Sequence, residues 1–139
     1  MKIKQLFIIT ITFIGTSVIQ TTSSQEINPI EQAQQLIDQG NPEKAITILR
    51  KLQPKFEGIP AFDYVFGLAC VDTGRNAEAI FALERVIDTI PDHGPARAEL
   101  AKAYLALGET DDAKKQFEKV KELPDIPPEA QQTIERYLS

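Results

Sequence analysis

A chain of 139 residues, 42% hydrophobic and 25% charged, has the size and makeup of one modest globular domain. Its formal net charge of −5 argues against nucleic acid and anionic membrane surfaces, which attract clustered Lys and Arg. A single cysteine, Cys70, excludes an intramolecular disulfide, so the fold must stand on its apolar core.

The N-terminus reads as a targeting segment. Met1, Lys2 and Lys4 give a short positive start, and Leu6 to Ile19 is an apolar run of 14 residues. Thr22 and Ser24 then stand where a signal peptidase reads small residues. Residues 1–24 are therefore expected to be a secretory signal cleaved after Ser24. A retained membrane anchor is the alternative, although a spanning helix needs about 20 apolar residues. The remaining 115 residues carry 13 Lys+Arg against 20 Asp+Glu, which suits a soluble secreted protein without membrane insertion.

Helical signals follow in order. Asn28-Pro29 reads as N-cap and first helical residue, and Gly40 as a left-handed stop. Asn41-Pro42-Glu43 restarts a helix, expected to end before Pro54. A second hairpin is predicted over about 61–73 and 76–90, split by Gly74, and a third over about 95–107 and 110–123, split by Gly108. A seventh helix, about 128–138, puts Ile134, Tyr137 and Leu138 on one side. No apolar run alternates with period two, so no strand is expected.

The hairpins share a period of 34. Ala33/Gly67/Ala101, Gly40/Gly74/Gly108 and Ala45/Ala79/Ala113 recur at that spacing, as do Leu36/Cys70/Tyr104, Leu49/Leu83/Phe117 and Leu52/Val86/Val120. Small residues fall where two helices must come close, and large apolar residues fill the space between them. The pattern is a stacked helix–turn–helix array with units at about 26–59, 60–93 and 94–127. The amphipathic last helix serves as its cap, because an uncapped terminal repeat would expose an apolar face.

The units resemble tetratricopeptide repeats. The second carries Phe66-Gly67, Gly74, Ala79, Leu83, Val86 and Pro91, and the third Leu100-Ala101, Tyr104, Gly108, Ala113, Phe117 and Val120. The resemblance implies an all-α tetratricopeptide-repeat solenoid over residues 25–139, of three helix–turn–helix repeats plus a C-terminal capping helix. It also implies a protein-binding module rather than an enzyme. A narrower resemblance rests on Phe62-Asp63-Tyr64, on residues 79–86 and 95–101, and on the closing Ile134-Glu135-Arg136-Tyr137-Leu138. These are similar to the periplasmic repeat domain that precedes the β-barrel in outer-membrane proteins of the surface lipoprotein assembly modifier type. That implies a Gram-negative periplasm and an outer-membrane barrel partner. This chain ends at Ser139, where such proteins continue into the barrel, so translocation is not expected of it alone.

No constellation for chemistry stands out. His93 lies in a Pro-Asp-His-Gly-Pro turn without a second His, and reads as an exposed turn residue whose loss would be nearly silent. Asp111 and Asp112 open a helix whose dipole favours acids, amid Lys114, Lys115, Lys119 and Lys121 on a solvated face. No metal site or cofactor is expected. The candidate site is the concave groove, which the first helix of each hairpin lines in such arrays. By period it offers Ile30, Gln34 and Ile37, then Tyr64, Leu68, Val71 and Asp72, then Ala98, Lys102 and Leu105. Some tetratricopeptide domains clamp an acidic chaperone C-terminus with several Lys and Asn residues on this face; here Lys102 is its sole base, so that clamp is absent. The expected partner is a protein segment or a barrel protein. The alternative is self-association through the same surface as a dimer or array.

Overall fold

The computed structural model describes residues 28–126 and 128–139. The expected signal segment, residues 1–24, lies outside the described residues. Among the described residues seven helices follow in order: α1 (Pro29–Asp38), α2 (Pro42–Phe56), α3 (Pro60–Asp72), α4 (Asn76–Thr89), α5 (Gly94–Ala106), α6 (Thr110–Lys121) and α7 (Pro128–Leu138). Among the described residues there is no strand, and no helix is long and apolar enough to cross a membrane.

Local chemistry sets the three hairpins. The Ile30 N–H donates to the Asn28 side chain at 3.0 Å, so Asn28 caps α1. Each hairpin then turns in the same way. Gly40, Gly74 and Gly108 have φ of 74°, 72° and 81°, a region where a Cβ is strained. The next residue's N–H reaches back five positions: Asn41 to the Leu36 carbonyl at 2.8 Å, Arg75 to Cys70 at 2.8 Å, Glu109 to Tyr104 at 2.9 Å. These paired turn bonds satisfy carbonyls that the helix end would leave open.

The end of α2 differs from expectation. The helix runs through Pro54 to Phe56 instead of stopping before the proline. Pro54 forfeits the bond that an N–H there would make to the Arg50 carbonyl and crowds that carbonyl. Packing outweighs that cost: the Phe56 ring stacks on Phe62 at 6.3 Å, and Phe62 on Phe66 at 5.8 Å. The stop falls instead near Gly58, whose φ is 89°.

Stacking builds one continuous core. Each helix packs on the next, and α1, α3 and α5 also touch in succession as an inner layer. Leu49, Phe62, Leu83, Leu100 and Phe117 are buried at the centre. Small residues permit the approach: Ala33, Ala45, Ala69, Ala79, Ala101 and Ala113 are fully enclosed. Cys70 is buried among them, and burial, with a smaller push from Glu78, raises its thiol to about 12, so it acts as a small hydrophobe. At the far end α7 covers α6. Ile134 is buried, and the Tyr137 ring lies parallel to Phe117 with centroids 5.3 Å apart.

Polar ties join successive hairpins. Arg50 on α2 binds both oxygens of Glu78 on α4 at 2.8 and 2.7 Å, and Arg75 binds Glu43 at 3.0 and 3.1 Å. Both pairs are solvent-exposed and contribute little to stability. The Tyr104 hydroxyl donates to Glu84 at 2.6 Å between α5 and α4. Burial first, and then that carboxylate, raise its pKa. A further tie is hidden. Asp63 on α3 is fully buried and receives two bonds from Arg85 on α4 at 2.9 and 2.8 Å, plus the Gly58 N–H at 3.0 Å. Periodicity does not single it out.

Candidate functional site

Two depressions open along the inner helices. The first, of about 460 Å³, opens between α1 and α3 against the turn before α5. Ile30 and Gln34 line it from α1 and Tyr64 from α3, as the repeat period places them. The second, of about 380 Å³, lies between α5, α6 and α7, with Ala98 and Lys102 on its wall. Ile37, Leu68, Val71, Asp72 and Leu105 line neither depression. Ile37, Val71 and Leu105 are half-buried against the core, Leu68 is half-buried, and Asp72 is exposed.

Several lining residues escaped the sequence reading. Ala61 sits three before Tyr64, so a helical count would have reached it. Ile90 and His93 come from the connection between hairpins, where no helical period applies. Phe117, Val120 and Ile134 are core residues that face the second depression where α7 stands off from α5.

His93 is no free turn residue. Its Nδ1 accepts the Ala96 N–H at 3.0 Å and caps α5, and its ring meets Tyr64 at 4.7 Å. The turn positions imidazole where a helix start needs an acceptor, which is why the exposed-turn expectation fails. In the neutral form the proton is then on Nε2. Losing a cap costs typically about 1 kcal/mol, so His93→Ala should lower stability by that order, and His93→Asn should recover most of it. Urea denaturation of the three proteins checks this; an unchanged His93→Ala midpoint would sink the capping role.

Electrostatics around the first depression are one-sided. Gln34 donates to Asp38 at 2.9 Å, and Glu31 stands exposed on the wall. The Tyr64 hydroxyl is pushed toward a higher pKa by burial and then by Glu99. Glu99 itself pairs with Lys102 at 2.6 Å. Among the described residues no cluster of three or more His, Cys, Asp or Glu could hold a metal ion.

Hairpins with this turn, spacing and stacking define the class of fold: residues 29–138 have the fold of a tetratricopeptide-repeat array. The tetratricopeptide repeat family model matches residues 71–138, from the end of α3 through α7. Two solved structures share the fold. One is the first tetratricopeptide domain of the human RPAP3 protein, determined by NMR, and the other is the first such repeat domain of Spaghetti (RPAP3) bound to the HSP90 peptide SRMEEVD. Each is 21% identical over 78% of this chain and 86% of the other, with a TM-score of 0.68. Comparison with curated proteins gives no match.

Proposed function

We propose that this chain is a secreted periplasmic interaction module that holds a segment of a protein partner against its inner helices. The observation that carries this reading is the open depression between α1 and α3, walled by Ile30, Pro60, Ala61, Tyr64 and Ile90. Apolar walls with a few polar groups suit side chains of an extended segment. The Spaghetti domain of the same fold was solved with a bound peptide, which supports a peptide as the kind of ligand. The positive start and apolar run of residues 1–24 support export. An outer-membrane β-barrel protein is the proposed neighbour, on the strength of the resemblance to surface lipoprotein assembly modifiers. No group of side chains in the inner face is set up as a nucleophile with its base.

Ala61 is exposed on the wall and outside the core, so Ala61→Trp should fill the depression and spare the fold. Affinity capture from outer-membrane extract should lose its specific partner with this variant while the melting temperature holds. Full capture by Ala61→Trp would remove the depression from the function.

A further inference from the structure

Basic side chains are concentrated in the outer layer of the array, although its helix α4 carries Glu78, Glu84 and Asp88 against Arg85 alone. The inner helices α1 and α3 contain no Lys or Arg, yet α1 carries Glu31 and Asp38 and α3 carries Asp63 and Asp72. Asp63 is buried and consumed by Arg85, but Glu31, Asp38 and Asp72 are exposed. On α5, Arg97 is spent on the Pro91 carbonyl and on Gln116, both at 2.7 Å, and Lys102 on Glu99. The bases instead crowd the outer helices: Lys44, Arg50, Lys51 and Lys55 on α2, and four Lys on α6.

From this layout we propose that the partner segment is basic and apolar: an extended stretch that seats an Ile, Leu or aromatic side chain in the α1/α3 depression and presents Lys or Arg to Glu31 and Asp72. This deepens the interaction reading above and rests on it. Two features of the depression fit such an occupant. Its apolar floor between Ile30 and Tyr64 takes the anchor, and Glu31 on its wall meets the cation beside it. The Lys102–Glu99 pair offers a further carboxylate, because Lys102 is 46% exposed and a surface pair of this kind is weak enough to exchange. An acidic segment such as SRMEEVD would meet like charge along α1 and α3, with no base on either helix to offset it.

The test uses the purified chain and two fluorescent peptides of equal length. They share an alternating Ile/Leu frame, one with Lys between the apolar residues and the other with Glu. The Lys peptide should bind, the Glu peptide should not, and binding should weaken as salt shortens the screening length below about 10 Å. The exposed double variant Glu31→Lys/Asp72→Lys should lose roughly tenfold in affinity, because it replaces attraction with repulsion at each contact. Glu118→Lys on α6 makes the same kind of charge change on the outer layer and should leave binding unchanged. Equal or tighter binding of the Glu peptide overturns the basic partner and leaves the interaction module standing. An equal loss with Glu118→Lys overturns it in favour of bulk charge. Binding of neither peptide also overturns it, and joined to full capture by Ala61→Trp it overturns the module as well. Concentration-dependent association in sedimentation that the double variant abolishes would replace the basic partner with a second copy, whose α2 supplies the cations.

Discussion

Arg85→Ala is expected to cost about 3 kcal/mol, the largest loss of any single truncation of a polar side chain in the array. The reason is the carboxylate left behind. Asp63 is 0% exposed, and without Arg85 it would keep one bond, from the Gly58 N–H. A buried charge stripped of its partner typically costs about 3–5 kcal/mol; Arg85 is itself 33% exposed, so water can enter beside Asp63, and the low end applies. Arg85 also reaches Glu57 at 3.3 Å, so the connection between α2 and α3 should loosen with it. Replacing both partners together, as Asp63→Leu/Arg85→Met, should recover a substantial part of the loss, because no charge remains to be buried. Urea unfolding of the wild type, both single variants and the pair gives the cycle. Additive single losses would show that the two side chains act independently and would refute the hidden tie.

This pair also shows where reading the sequence stopped. The period of 34 exposed the hairpins because the same demand recurs in each unit: a glycine at positive φ in the turn and a small residue at the crossing. Asp63 answers a demand made once. Its equivalents are Pro29 and Arg97, so a search for recurrence passes over it, whereas Arg85 has basic counterparts in Lys51 and Lys119 and looks like ordinary surface. His93 departs from its expected exposed turn for a related reason. Composition marked a turn, but whether imidazole points at solvent or at a helix start depends on the path of Pro91 to Gly94. Pro54 failed in the opposite sense: a local breaker was overridden by the stacking of Phe56 on a helix that follows it. The inner-face residues divide in the same way. Ile30, Gln34, Tyr64, Ala98 and Lys102 follow from period and line depressions, while the contribution of Ile90 and His93 belongs to a connection whose course only the stacked hairpins determine.

Gly67→Leu should destabilise the second hairpin by at least the about 1–3 kcal/mol typical of overpacking. Gly67 lies inside α3 with an ordinary helical backbone, so its value is space rather than conformational freedom. A Cβ built there would stand 2.6 Å from Leu83 Cγ and 2.7 Å from its Cδ2, well inside contact distance. Leu83 is fully buried on α4 and cannot step aside. Ala gains about 0.5–1 kcal/mol over Gly in helix propensity, so Gly67→Ala sets that gain against a smaller clash and should lose less than Leu. Relief must come from across the crossing. Leu83→Ala alone opens a cavity and should cost about 2–5 kcal/mol, but combined with Gly67→Leu it returns the volume to the same place from the opposite helix. The double variant should therefore be more stable than the sum of the single losses, which calorimetry or urea titration of all four proteins measures. A melting temperature unmoved by Gly67→Leu would mean that α3 and α4 do not cross at this residue. Strict additivity with Leu83→Ala would mean that the added side chain finds room elsewhere, and that the small residue here is not what lets the two helices meet.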